Sequence, residues 1–139
     1  METPHPLAEL LHTLRRERRR VPEVPPELRP ADMVEGYRIQ DQLVEALGGE
    51  PIGYKVALTS ATAQELVGYG APTFGTMLST LFWTAPVELT TADFTTRIIE
   101  TEFGFRIGRD VPPGTPRHRI PDYVDSVLPS IEKIGRAHV

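Results

Sequence analysis

Residues 95–109 read TTRIIETEFGFRIGR, and the alternation within this stretch decides how the chain folds. Isoleucine, phenylalanine and threonine dominate it and no proline interrupts it, so it predicts a long β-strand. Alternation puts Ile98, Glu100, Glu102, Gly104 and Arg106 on one face and Ile99, Phe103, Phe105 and Ile107 on the other. Glu100 and Glu102 therefore share one side of a segment otherwise suited to burial. Same-face neighbours lie ~7 Å apart along a strand, close enough for two carboxylates to converge on one ion or one substrate atom. A hard divalent cation such as Mg2+ or Mn2+ takes oxygen ligands and offsets the repulsion between the two charges. The plainer reading is a wet sheet face on which Arg106 pairs with a glutamate. Spacing alone leaves both readings open.

Downstream, DVPPGTPRHRI (110–120) reads as a loop, and PDYVDSVLPSIE (121–132) predicts a helix. Pro121 would sit near its first turn, with Val124, Val127, Leu128 and Ile131 facing inward and Pro129 disturbing the last turn. Upstream, TMLSTLFW and PVELT read as short strands, and GYGAPTFGT (68–76) as a glycine-rich turn. That turn lacks the GxGxxG spacing and the P-loop lysine, so it is not a phosphate cradle. IGYKVALT (52–59) alternates Ile52, Tyr54, Val56 and Leu58 with Gly53, Lys55, Ala57 and Thr59, which predicts a strand whose Lys55 faces away from the large apolar residues. Ser60 or Thr62 can cap a short helix running to about Leu66. Helical spacing of Leu7, Leu10, Leu11 and Leu14 predicts a helix over 5–19. Val34, Tyr37, Val44 and Leu47 predict another over 31–47, with Gly48-Gly49 as its C-cap.

Composition narrows the function classes. A chain of 139 residues is about one domain. The net charge of −4 offers no global field to nucleic acid, so RRERRR (15–20) reads as a solvated helix end and no nucleic-acid partner is expected. The absence of cysteine removes disulfides, thiolate metal sites and cysteine nucleophiles, and favours the cytoplasm. No apolar run approaches the ~20 residues that span a bilayer, so no membrane association is expected. His5, His12, His118 and His138 show no metal-ligand spacing with one another, and no nucleophile elbow occurs.

Several stretches in order resemble one family. IGYKVALTS, a helix, a turn ending in Phe74-Gly75, a strand carrying E-x-E, GRD and YVDSVLPSIE are similar to the 2-keto-4-pentenoate hydratase group of the fumarylacetoacetate hydrolase superfamily, which includes the 2-oxo-3-hexenedioate decarboxylases. The resemblance runs from about residue 7 to Glu132. It implies an α+β fold, with N-terminal helices followed by part of a mixed β-roll or barrel. It also implies a divalent cation, Mg2+ or Mn2+, held by Glu100, Glu102 and a third acidic residue after the next helix, Glu132. The cation would polarise the carbonyl of a small unsaturated 2-keto acid. Lys55 matches the family's active-site lysine, which would steer the substrate carboxylate or transfer a proton. Thr59, Ser60, Phe74 and Gly75 are weaker candidates for substrate contact. Hydration of a 2-hydroxypenta-2,4-dienoate-like acid from aromatic catabolism is the first reading, and decarboxylation of 2-oxo-3-hexenedioate the second. The rivals are a C–C hydrolase of acylpyruvates, which would need a water-activating histidine, and a small non-enzymatic binding module. Family members are usually homo-oligomers.

The chain departs from the family at Pro72-Thr73-Phe74-Gly75, where an acidic residue often stands in place of Thr73. It also stops early, since most of the family's sheet would follow Glu132. The resulting division is a helical region over 1–50, the first part of a β-rich catalytic domain over 51–133, and residues 134–139. The last six, IGRAHV, can be encoded by ATC GGA AGA GCA CAC GTC, the opening of a common sequencing adapter once a lysine codon supplies the preceding AG. The expectation is an adapter-derived end on the first half of an enzyme, a piece that is not stable alone and is itself inactive.

Overall fold

The computed structural model describes residues 3–94 and 98–135. It forms two compact units, one in the segment ending at Thr90 and one in Thr91–Arg136. Helices and two antiparallel strand pairs make the chain α+β, as its sequence implies.

The first unit opens with two helices. In α1 (Pro6–Glu17) the His5 ring caps the N-terminus, its Nδ1 accepting the Leu7 N–H at 3.1 Å. The His5 backbone N–H donates to Gln42 Oε1 at 2.7 Å, which ties this cap to α2 (Met33–Leu47). Asp32 caps α2 by accepting the Glu35 N–H, while Glu35 accepts the Ala31 N–H, so several of the orphan donors of that helix end are satisfied. Gly48 ends α2 at φ 66°, a left-handed value that glycine adopts without a Cβ clash. Leu7, Ala8 and Ile39 form the buried core between the helices, and Val24 and Leu28 of the proline-rich connector pack onto it.

A strand pair follows, β1 (Pro51–Ala57) against β2 (Thr73–Leu78), antiparallel, with α3 (Ala61–Val67) in the connection. Ser60, and not Thr62, caps α3 by accepting the Ala63 N–H at 3.2 Å. Leu58 turns the chain between β1 and α3 at φ 54°, and its carbonyl accepts the Gln64 side-chain amide at 2.8 Å. Three expectations are corrected here. The turn expected over 68–76 is a strand from Thr73 onward, because Thr73–Thr76 pair with Ala57–Tyr54. TMLSTLFW is strand only to Leu78; Ser79 then exchanges hydrogen bonds with Glu50 through both backbone and hydroxyl, and a 3-10 turn over Ser79–Leu81 follows. PVELT (86–90) is not a strand, for no described strand pairs with it.

The second unit is a long two-stranded ribbon, β3 (Ile98–Ile107) against β4 (Val124–Ile134). The loop between them ends in a 3-10 turn over Arg117–Tyr123 that contains Pro121. The helix expected over 121–132 is therefore corrected to a strand from Val124. Pro129 cannot donate a backbone hydrogen bond and would clash in a helix interior, whereas an edge strand tolerates it. β-branched Val124, Val127 and Ile131 also favour the extended form once Glu100–Ile107 offers a partner. Of the terminal stretch 134–139, Ile134 ends β4 opposite Ile98 and residues 136–139 lie outside the described ones. Among the described residues no helix is long and apolar enough to cross a membrane.

Candidate metal and substrate site

The register of the ribbon builds the site. Glu100 pairs with Glu132 and Glu102 with Ser130, directly across the antiparallel ladder. Cross-strand partners stand about 5 Å apart at Cβ and project to the same face. Glu100 and Glu102 are same-face neighbours along β3, so Glu132 closes a triangle. One carboxylate oxygen from each of the three glutamates lies within 4.8 Å of the others. Glu100 is exposed, and Glu102 and Glu132 are half-buried. Three hard anionic oxygen donors at this spacing suit a divalent cation, which takes such ligands at 2.0–2.6 Å depending on the ion. Arg106 does not pair with a glutamate among the described residues.

Glu132 reaches this triangle from a strand. The family pattern places Glu132 after a helix, whereas here it stands on β4, and a helical 121–132 would not set it opposite Glu100.

The other candidates belong to the first unit. Lys55 is half-buried on β1 and pairs across the ladder with Gly75, so these two share a face. Lys55 Nζ donates to the Val56 carbonyl at 3.2 Å. The opposite face carries Tyr54, Val56 and Phe74, and this apolar face is the more open one, with Tyr54 67% exposed. Phe74 is held there by packing. Its ring stacks on Tyr37 at 4.5 Å and meets Tyr54 edge-on at 5.5 Å, while its N–H donates to the Tyr37 hydroxyl. Phe74 thus lies on the face turned away from Lys55. Ser60 spends its hydroxyl on the α3 cap, and Thr59 lies exposed in the turn beside it. An open hollow of about 530 Å³ between α2 and the strand pair is lined by Asp41, Glu45, Tyr54 and Thr76, again on the face turned away from Lys55.

The chain also has relatives among known proteins. The chain is 28% identical over 111 residues to the 2-keto-4-pentenoate hydratase of Paraburkholderia xenovorans (strain LB400), covering 79% of this chain and 41% of that protein. The same figures hold for 2-keto-4-pentenoate hydratase 3 of Pseudomonas putida. The chain is thus similar to 2-keto-4-pentenoate hydratases over most of its own length. It spans less than half the length of these hydratase relatives. No protein-family model matches it.

Beside the three glutamates, the strand register adds residues that a helical 121–132 conceals. Ser130 and Leu128 lie on the glutamate face, opposite Glu102 and Gly104. The signal that could have revealed them was Pro129 among β-branched residues.

Proposed function

We propose that this chain carries the metal site of a divalent-cation-dependent lyase that hydrates small unsaturated 2-keto acids of the 2-hydroxypenta-2,4-dienoate type. The convergence of Glu100, Glu102 and Glu132 on one face of a strand pair is the observation that carries the reading. The names of its relatives support the hydratase class.

These three carboxylates would hold Mg2+ or Mn2+, which when bound supplies Lewis-acid polarisation of the substrate's 2-oxo group. The glutamates would fix where the 2-oxo-acid end of the substrate lies, because residues of both strands of one ladder would hold the cation. A two-stranded anchor limits drift of the bound end, and positioning of that kind contributes strongly to rate. Lys55 would be the active-site lysine that the resemblance implies. Its ammonium would stabilise negative charge developing on the substrate or move a proton at the distal carbon. Gly75, directly opposite, presents no side chain against it. Thr59 would offer a hydroxyl near the end of the same strand, while Ser60 and Phe74 would act chiefly by holding α3 and β2 in place.

The test is turnover of 2-hydroxypenta-2,4-dienoate by the protein that carries this chain, with and without Mg2+ after chelation. Formation of the hydrated 4-hydroxy-2-keto acid that stops on chelation and returns with Mg2+ supports the reading. Turnover indifferent to chelation, or none with either 2-hydroxypentadienoate or 2-oxohexenedioate, contradicts it.

A further inference from the structure

Lys55 and Gly75 stand opposite one another in the β1–β2 ladder and share a face. Gly75 is not called for by its backbone, for it sits in β2 with no positive φ. Its lack of a side chain matters for what lies beside it. A Cβ built at Gly75 would meet Gln40 Oε1 of α2 at 3.4 Å. Alanine would already touch that oxygen, and a larger side chain would take the space over the ladder. Gln40 reaches this position because α2 lies against β2. Tyr37, one turn earlier on the same side of α2, stacks on Phe74 and accepts its N–H. Cross-strand Cβ positions are about 5 Å apart. Gln40 Oε1 therefore lies within about 8 Å of the Lys55 Cβ, the reach of an extended lysine stem ending in a hydrogen bond.

Gln40 is half-buried, and its carboxamide makes no hydrogen bond to any described residue. A polar group so placed calls for a partner. From this juxtaposition we infer that Gln40 is a positioning residue for Lys55: its carboxamide oxygen is the neutral acceptor that holds the Lys55 ammonium extended over Gly75. The inference rests on the part given to Lys55 in the function proposed above. An ammonium carries three donors, so the Lys55 bond to the Val56 carbonyl is compatible with one to Gln40. A neutral acceptor suits this task. It fixes where the cation stands without cancelling its charge, which remains available to negative charge developing on a 2-oxo acid. A carboxylate in its place would pair with the ammonium and hold its proton. Beside Lys55 and Gly75 on this face, β1 and β2 place Gly53, Ala57, Thr73 and Met77, none of them titratable. The Asp41 and Glu45 carboxylates of α2 line the hollow on the other face. Gln40 thus supplies from α2 a polar side chain that the apolar neighbours of Lys55 do not.

The test reads Lys55 without needing turnover. Acetic anhydride acylates only the uncharged amine, so the labelling rate of Lys55 at a fixed, mildly alkaline pH reports how firmly its proton is held. The rate is followed on the proteolytic peptide by mass spectrometry, for the protein that carries this chain and for Q40L and Q40E. Q40L removes the acceptor and should quicken Lys55 labelling about threefold or more, the scale of one hydrogen bond. Q40E puts a carboxylate there and should slow it by about tenfold, one unit of pKa. Lys133 should label equally in all three. Unfolding frees the lysine in either variant, so it cannot imitate a fall in Q40E. With 2-hydroxypenta-2,4-dienoate, Q40L should lower kcat by about tenfold while KM and Mn2+ affinity stay within about twofold. Unless labelling rises in Q40L and falls in Q40E, the contact is overturned. The expected labelling with an unchanged kcat in Q40L overturns the positioning role. No turnover by the unaltered protein overturns the function proposed above and the positioning role with it, whatever the labelling shows.

Discussion

Glu100 and Glu132 face one another across an antiparallel ladder although 32 positions separate them in the chain. Like charges placed directly opposite destabilise a strand pair. Adding Glu102 beside them concentrates three carboxylates whose oxygens approach within 4.8 Å. A bound cation turns this repulsion into attraction, so the ribbon should be more stable with metal than without. Stabilisation by a ligand grows with its concentration relative to Kd, reaching about 2.7 kcal/mol at a hundredfold excess over Kd. A melting temperature that rises with Mn2+, in the unaltered protein but not in Glu100→Gln, is the expected outcome.

Lys55 lies on a strand of the first unit and none of the three glutamates depends on it for its place in the ladder. Lys55→Met is expected to lower kcat/KM by about a hundredfold or more, the scale of a lost acid–base or charge-stabilising group. Mn2+ affinity should be unchanged. Unaltered kcat/KM would remove Lys55 from the mechanism.

Ser60 connects the strand of Lys55 to α3. Replacing Ser60 by alanine removes the hydroxyl that accepts the Ala63 N–H and should cost about 1 kcal/mol of stability. Denaturant midpoints for the two proteins give the difference. A much larger loss of activity than of stability would mean that the Ser60 hydroxyl also touches substrate.

The face of the ribbon opposite the glutamates carries Ile99, Phe103, Phe105, Val127 and Ile131, all exposed, Phe103 by 77%. Contiguous exposed apolar patches of this kind are uncommon on soluble monomers and promote association. The 139-residue chain produced alone is expected to self-associate and to bind a hydrophobic dye. Phe103→Lys together with Ile131→Lys should reduce both. A soluble, monomeric, cooperatively melting 139-residue product would contradict this expectation.

Much of this arrangement is legible in single residues. Alternation around Glu100 and Glu102 gives β3 and the face on which they converge. The leucines of α1, Gly48 after α2 and Ser60 before α3 mark three helices. Residues 121–132 are not legible in the same way. Val124, Val127, Leu128 and Ile131 satisfy helical spacing as well as they fit a strand, and short apolar runs do not distinguish the two by period. The ladder with β3 decides between them, and that is a contact between distant parts of the chain. The β2 start at Thr73 was hidden for the same reason, since Gly68, Gly70 and Gly75 suggest a turn until Lys55 and its neighbours supply a partner strand. The family resemblance implies Glu132 as a candidate ligand, and the register explains how it meets Glu100.

The most direct test is Mn2+ titration followed by electron paramagnetic resonance, comparing the unaltered protein with Glu132→Gln. The account predicts one bound Mn2+ per chain and at least a tenfold weaker site in the variant, about 1.4 kcal/mol for one lost anionic ligand. Equal Mn2+ affinity in the two proteins would show that Glu132 is no ligand and would contradict the triangle of Glu100, Glu102 and Glu132 as a metal site.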